Sequence, residues 1–511
     1  MGKYYITTAI DYASGKGHIG NTYEKVAADV LARYHRKKGD DVYFQIGMDE
    51  HGQKTELKAE ENNQTPQEYT DGIAKIVKDI YDQLNISYDG FVRTTNDKHK
   101  ESVQKIYQRL YDQGDIYKGK YEGWYCTPCE SFFTEYQLVN GKCPDCGREI
   151  KKTEEAAYFL KLSKYEKTFK KYLEENKKFI VPIERKNEIY NNFVKDGLKD
   201  LCVSRTSFDW GVKLPFDEKH ISYVWIDALS NYITFLGYDA EGNHSEKYKK
   251  FWPADVHVVG KDILRFHMIY WPCILLALGE ELPKQIFAHP WFLFGNDKMS
   301  KSLGNTLYSD DLIEKYGVDA IRFYLISELP LIGDGNLTED LIVEKINAEL
   351  ANNFGNLLNR TVTMVNKYFD GKLSTKNKKE QIDNDLINEV LSLQKKVEQK
   401  LNEYKIAPAI KEIFLVFRKC NKYIDETCPW VLAKDENKKE RLSTVLYNLL
   451  EAIRICTVLL ESFLPETAEE VYKQLNTTET SLNSILKFGE VDFDTKLKTP
   501  TPLFNRIEKN N

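Results

Sequence analysis

From Tyr4 to Ile10 the chain is aromatic and β-branched, which predicts a strand. Asp11 to Gly20 is polar and carries Gly15, Gly17 and Gly20, so it reads as a loop. From Asn21 the apolar positions are Tyr23, Val26, Ala27, Val30, Leu31 and Tyr34. That is helical spacing with one buried stripe. Gly39 stops the helix after a basic last turn, and Asp41 to Gly47 is the next strand. Strand, helix and strand in this order make a βαβ unit, hence a parallel sheet with right-handed crossovers.

Between about Tyr117 and Phe216 cysteines, glycines and lysines break this pattern, which predicts an insertion into the sheet domain. Doubly wound character returns at Tyr223–Ala228, Asp255–Gly260 and Gln285–Phe294. After about Leu337 glycine and proline become sparse and helical periodicity runs to about Asn476, which predicts a helical bundle. The expected blocks are 1–116 and 223–336 for the two halves of the sheet domain, 117–222 for the insertion and 337–511 for the bundle with its tail. Lys498 to Asn511 reads as a tail either packed back on the body or left loose.

Composition narrows the class. A length of 511 residues predicts about three domains. Hydrophobic residues at 42% and charged residues at 29% exclude disorder and collagen-like structure. No stretch approaches the ~18 consecutive apolar residues of a membrane span. The start, Met1 to Ile6, lacks a basic region followed by an apolar run, so no secretory signal and no membrane partner are expected. Ile6 also stands where a myristoylation signal needs Ser or Thr. A net charge of −6 argues against non-specific coating of nucleic acid, though not against a local basic face. Nine cysteines, four of them clustered, fit a reduced cytoplasm with a metal site better than a disulfide framework. Cys126 and Cys129 form one C-x-x-C pair, Cys143 and Cys146 another, with thirteen residues between the pairs. Together they suit a tetrahedral four-thiolate Zn²⁺ site, structural because no coordination position stays open.

Two loops suit phosphate. Gly17-His18-Ile19-Gly20-Asn21 leaves a strand and enters a helix N-terminus, where backbone N–H groups and the dipole favour anions. Asp297-Lys298-Met299-Ser300-Lys301-Ser302 puts two lysines three apart, a cationic clamp for a pentavalent phosphate and departing pyrophosphate. Alone, the first is also an ordinary turn histidine and the second a solvated basic loop; the pair, in this order on a βαβ framework, carries the argument. Gly260-Lys261-Asp262 ends a strand, where a carboxylate commonly accepts ribose hydroxyls. Trp225, Ala228, Leu229 and Tyr232 share one helical face, and Ile263, His267 and Trp271, spaced by four, share another. Such stripes are often plain core, yet these are rich in aromatic rings and flank the nucleotide elements. They suit a thioether, which gains ~0.3–1.5 kcal/mol per sulfur–aromatic contact, with Tyr12 or His267 as a donor that tells sulfur from methylene. In the bundle, Asn356 and Arg360 lie four apart and Trp430 follows Pro429 at a helix start. They are either solvated surface residues or the donors and flat ring that base recognition needs.

His18-Ile19-Gly20-Asn21 and Lys298-Met299-Ser300-Lys301-Ser302 resemble the two signatures of class I aminoacyl-tRNA synthetases. That family usually ends its first signature with histidine; Asn21 stands there, and its amide also donates hydrogen bonds. Thr8 to Tyr12, Gly47-Met48-Asp49-Glu50-His51-Gly52, Trp225 to Ala228, Gly260 to Ile263 and Phe266-His267 are similar to the methionyl-tRNA synthetases, over nearly the full chain. Asp11 stands where those relatives more often carry proline or an aromatic.

The resemblance implies an α/β fold: a Rossmann-type parallel sheet with a zinc-knuckle insertion, followed by an all-α anticodon-binding bundle. It implies ATP-dependent activation of methionine and transfer to the 2′-hydroxyl of the terminal adenosine of tRNA(Met), initiator included. Catalysis would fall to His18, Lys298 and Lys301. ATP, with Mg²⁺, would meet these three and Gly17, Gly20, Asn21, Gly260 and Asp262. Asp49 would hold the methionine ammonium, and Ala9, Ile10, Tyr12, Trp225, Ala228, Leu229, Tyr232, Ile263, His267 and Trp271 would line the side-chain pocket. Asn356, Arg360 and Trp430 would read the anticodon. The chain ends before the C-terminal β-barrel with which many relatives dimerise, so a monomer is expected. Two rivals are weaker. Leucine, isoleucine and valine synthetases carry a large editing domain that the insertion is too short to hold, and the cysteine enzyme uses an open zinc. A synthetase-like RNA-binding module without catalysis fits poorly with intact His18, Asp49, Lys298 and Lys301.

Overall fold

The computed structural model describes residues 2–127, 131–133, 135–144, 146–294, 297–298, 307–373 and 379–508. The chain divides into two compact units. The first comprises Met1–Ala28, Asp40–Asp82 and Ile86–Pro290, and the second Asp29–Gly39, Gln83–Asn85 and Trp291–Asn511.

The first unit is built on a seven-stranded sheet. Lys3–Thr8 lies between Asp41–Asp49 on one side and Val256–Gly260 on the other, parallel to both. Ile286–His289 continues the sheet past Val256–Gly260, and Gly90–Arg93 and the short Asp11–Tyr12 strand both pair with Asp41–Asp49. Ile6, Phe44, Val256, Val258 and Ile286 are wholly buried, as a parallel sheet covered on both faces requires. The helix Ile19–Lys38 supplies the crossover between the first two long strands. Strand order reverses between Lys3–Thr8 and Val256–Gly260, and at such a switch point the carboxyl ends of the strands open a crevice for ligands.

The insertion carries a four-stranded antiparallel sheet around the long hairpin of Ile116–Cys126 and Lys151–Leu160. It is not a detached appendage: Ile180–Val181, within it, forms the last strand of the main sheet by pairing with Ile286 and Phe287. Tyr223–Ala228 leads into the helix on which Trp225, Ala228, Leu229 and Tyr232 share a face. Helix starts at Val224 and runs to Thr234, and Val224 to Ile233 are all buried, so an apolar run reflects burial on every side rather than sheet. Gln285–Phe294 divides into two strands, Ile286–His289 in the main sheet and Phe292–Phe294 in a small sheet of the second unit.

The rest of the second unit is helical. Asn356–Phe369, Gln381–Asn402, Ile406–Thr427 and Lys439–Leu460 are its long helices. The last of these has the length and hydropathy of a membrane span, yet its apolar stretch is fully buried. Its apolarity serves the bundle core. Arg322, also fully buried, gives its guanidinium to Asp29 at 2.7 Å and to the carbonyls of Leu84 and Phe463 at 3.0 Å each. The C-terminal tail packs back: Asn347 exchanges two 2.8 Å bonds with the backbone of Ile507, and Gln474 bonds Thr501.

Candidate active site

The candidate residues of the first unit gather at the carboxyl end of its sheet. Ala9 follows the central strand, Asp49 ends Asp41–Asp49, and Asp262 comes two residues after Gly260 ends its strand. Asp11–Tyr12 runs alongside the end of Asp41–Asp49, which sets Tyr12 opposite Asp49. Asp49 is 2% exposed, while Tyr12 is at the surface with 40% exposed. A Cβ on Gly260 would collide with the carboxylate of Asp262, so the glycine lets that side chain fold back over the strand end.

The glycine loop is closed by its own side chains. The Oδ1 of Asn21 accepts the His18 N–H at 3.2 Å, and the His18 Nδ1 accepts the Gly20 N–H at 3.1 Å. Because Nδ1 is an acceptor, the neutral ring carries its proton on Nε2, the tautomer that donates away from the loop. Asn21 therefore acts locally, its carbonyl oxygen tying down the turn at the start of the helix.

The aromatic candidate residues are joined by a chain of hydrogen bonds. The His267 Nδ1–H donates to the carbonyl of Ile263 at 3.0 Å, so Nε2 accepts from the Tyr232 hydroxyl at 2.7 Å. The Trp271 Nε1–H donates to His257 Nε2 at 3.2 Å, and His257 Nδ1 faces Thr7 Oγ1 at 2.7 Å. Tyr232 stacks on His257 with ring centres 4.2 Å apart. Burial pushes His267 down to about 4 and His257 well below the ordinary imidazole range, so both rings are neutral near pH 7. In this arrangement the single ring proton of His267, on Nδ1, is given to the Ile263 carbonyl. Trp271 is wholly buried beside Tyr232, with ring centres 5.9 Å apart. The even spacing of Ile263, His267 and Trp271 runs through a widened turn at Phe266–Tyr270.

Trp225 stacks face to face on Phe266, ring centres 3.5 Å apart, and its buried Nε1–H has no acceptor among the described residues. Leu229 and Ala228 are buried on the same helix, and Ile263 is partly exposed. Beneath them Asp227 accepts from His51 Nδ1 at 2.6 Å and His99 Nε2 at 2.8 Å. Burial would raise its carboxyl, but the two imidazoles hold it well below the carboxylate range.

Sequence reasoning missed a buried polar cluster. Lys25, on the buried helix, gives its ammonium to the Ala9 carbonyl at 3.1 Å, Asp11 at 2.9 Å and Glu24 at 3.0 Å. Tyr81 reaches the other oxygen of Asp11 at 2.7 Å, and His289 Nε2 lies 3.1 Å from Glu24. Glu24 and Lys25 lie off the apolar stripe of their helix, and nothing in that stripe marks them as buried. Asp11, which departs from the family pattern, is thereby explained as the partner of Lys25.

Cys126, Cys143 and Cys146 bring their sulfurs within 4.8 Å of one another, and Cys126 and Cys146 are 3.5 Å apart. That is too long for a disulfide and right for thiolates sharing one ion with ~2.3 Å metal–sulfur bonds. The chemistry of the set fits a metal. Cys129 lies outside the described residues, as does Lys301. Lys298 is described in its backbone only, in a short strand antiparallel to Phe292–Phe294.

In the second unit, Asn356 begins its helix and is exposed; Arg360, one turn on, reaches Asp425 at 3.7 Å. Trp430 follows Pro429 at the first turn of a short helix, 41% exposed.

A parallel sheet with a phosphate-type loop entering its first helix, followed by a helical bundle, defines a class I aminoacyl-tRNA synthetase. Residues 4–156 and 148–362 match the family described as tRNA synthetases class I (M), and 374–511 match the anticodon binding domain of methionyl tRNA ligase. The chain is 55% identical to the methionine–tRNA ligase of Clostridium tetani, over 99% of this chain and 78% of that protein, and 50% identical to that of Bacillus subtilis over the same shares. It superposes with a TM-score of 0.94, at 38% identity over 99% of this chain and 100% of the other, on Mycobacterium tuberculosis methionyl-tRNA synthetase in complex with methionyl-adenylate. The chain belongs to the methionyl-tRNA synthetase family and is a ligase of that kind.

Proposed function

We propose that the carboxyl edge of the sheet seats methionine and ATP side by side. The observation that carries this is the convergence of Ala9, Asp49 and Gly260–Asp262 at the ends of three strands around the switch point. In this reading the Asp49 carboxylate holds the methionine ammonium, and Tyr12, Trp225, Leu229 and Tyr232 surround the thioether. The His18 Nε2–H donates to a phosphate oxygen, the Gly17–Gly20 backbone follows the triphosphate, and Asp262 accepts from the ribose. Lys298 and Lys301 close on the phosphates, which a Mg²⁺ accompanies.

A carboxylate oxygen of methionine attacks the α-phosphorus; the bond to the bridging oxygen breaks and pyrophosphate leaves. The 2′-hydroxyl of the terminal adenosine then attacks the adenylate carbonyl, and AMP leaves. The chain forms no covalent bond of its own, so catalysis is positioning with charge stabilisation. Four thiolates, Cys129 included, hold a structural Zn²⁺ in the insertion, and Asn356, Arg360 and Trp430 meet the anticodon. The ligase works in the cytoplasm, where cysteine thiolates stay reduced.

ATP–pyrophosphate exchange across all twenty amino acids tests the pocket: methionine alone should support it. Lys301→Ala should slow adenylate formation by about 2–4 kcal/mol of barrier while methionine binding stays near wild type. Unchanged adenylation in pre-steady-state measurements would remove the clamp from the mechanism.

A further inference from the structure

Phe266, stacked on Trp225, also borders a cavity of about 380 Å³ that Trp225 does not line. The insertion supplies one wall, through Phe133, Gln137, Asn192 and Phe193, and the segment after Gly260 supplies the other, through Arg265 and Phe266. Arg265 is 7% exposed. Its guanidinium lies over three rings, 5.6 Å from the centre of Phe133, 5.0 Å from Phe193 and 4.8 Å from Phe266. No carboxylate or hydrogen-bond acceptor pairs with it among the described residues. A buried guanidinium keeps five donors that stacking on rings leaves unused.

A bare anion would use the guanidinium and waste the aromatic walls; a flat apolar molecule would do the reverse. A nucleotide uses both, with phosphate on the arginine and base against the rings. The amide of Asn192, exposed on the same wall, offers contacts to a base edge. Asp196, exposed on the same wall, suits the amino group of cytosine or adenine. Asp200, also on the wall, is taken up by Ser163 and Tyr117.

We propose that this cavity receives a nucleoside monophosphate unit of the single-stranded 3′ end of tRNA, with Arg265 against its phosphate. The inference rests on the proposed methionine pocket, because Phe266 is the shared partition: a strand end held here lies one ring away from the Trp225 wall. The 3′ end is the part of tRNA that must come to this place for transfer.

The test uses the full chain with its metal bound. Dissociation constants are measured for tRNA(Met) with an intact 3′ end and for the same tRNA trimmed of its last three nucleotides, against wild type, Arg265→Leu, Arg265→Lys and Phe193→Leu. Wild type should prefer the intact tRNA by about tenfold, the size expected of a phosphate contact plus base stacking. Arg265→Leu should bind both alike, Arg265→Lys should keep part of the preference, and Phe193→Leu, which leaves the charge in place, should lose part of it. Methionine-dependent pyrophosphate exchange should stay within about twofold in Arg265→Leu, because adenylation needs no tRNA. The proposal is overturned if Arg265→Leu retains the full preference. It is also overturned if all three variants lose tRNA binding, exchange and thermal stability together, which makes the arginine a structural plug. Equilibrium dialysis with cytidine 5′-monophosphate separates the sources: Arg265-dependent uptake without any preference for intact tRNA assigns the cavity to free nucleotide and ends the tRNA claim. Absence of methionine-dependent exchange in wild type would instead count against the methionine pocket.

Discussion

The ammonium of Lys25 sits 2.9 Å from the carboxylate of Asp11, with 2% of the lysine side chain exposed. Burial alone would drive its proton off; Asp11 and Glu24 outweigh that and hold Lys25 above its ordinary value. The same ammonium holds the Ala9 carbonyl, so the ion cluster fixes the backbone that carries the proposed pocket mouth from Ala9 to Tyr12.

Lys25→Met should therefore cost about 3–5 kcal/mol in denaturant unfolding, because it strands two buried carboxylates. Adding Asp11→Asn should recover part of that loss. In the folded fraction KM for methionine should rise more than KM for ATP. Equal stability of Lys25→Met and wild type would show that the cluster contributes nothing net.

Acid should weaken the fold through two buried histidines. His267 is down to about 4 in the folded chain against an ordinary value near 6.5, and His257 is shifted the same way. The unfolded chain therefore binds more protons between these values, and stability falls as pH drops from about 6.5 toward 4. Urea midpoints across that range should show the decline, and His267→Gln should flatten it. A wild-type midpoint independent of pH there would mean that the rings are not neutral as packed.

Purified protein should hold one Zn²⁺ per chain, and Cys143→Ser should weaken its retention and loosen the insertion. Elemental analysis of undialysed protein reads the first, and hydrogen exchange over residues 116–160 the second. A metal-free chain of undiminished stability is the contrary outcome.

Trp430→Ala should depress aminoacylation of tRNA(Met) while methionine-dependent pyrophosphate exchange stays near wild type. Loss of a stacking face costs about 1–3 kcal/mol, and only the first assay uses the anticodon. If both rates fall together, Trp430 supports the fold; if neither changes, it is an ordinary surface residue.

Short-range pattern was enough for the elements that make the site. Residue type located the first strand and the next, and 3.6-residue spacing the helix between them, within a few residues, because each element writes its own preference into neighbouring positions. The paired cysteines and the His18 loop were legible for the same reason: their partners lie a few residues away. Tertiary structure decided what periodicity cannot carry. Glu24, Lys25 and Asp29 lie off the apolar stripe of their helix, and a stripe assigns such residues to water. They are buried because packing brings them Asp11 from the loop before the helix, and His289 and Arg322 from remote stretches of chain. The protons of Tyr232, His257, His267 and Trp271 were equally invisible, since a ring nitrogen becomes donor or acceptor only when a distant atom takes up the other role. Burial and protonation are properties of surroundings, and those surroundings exist only once strands and helices far apart in the chain have packed together.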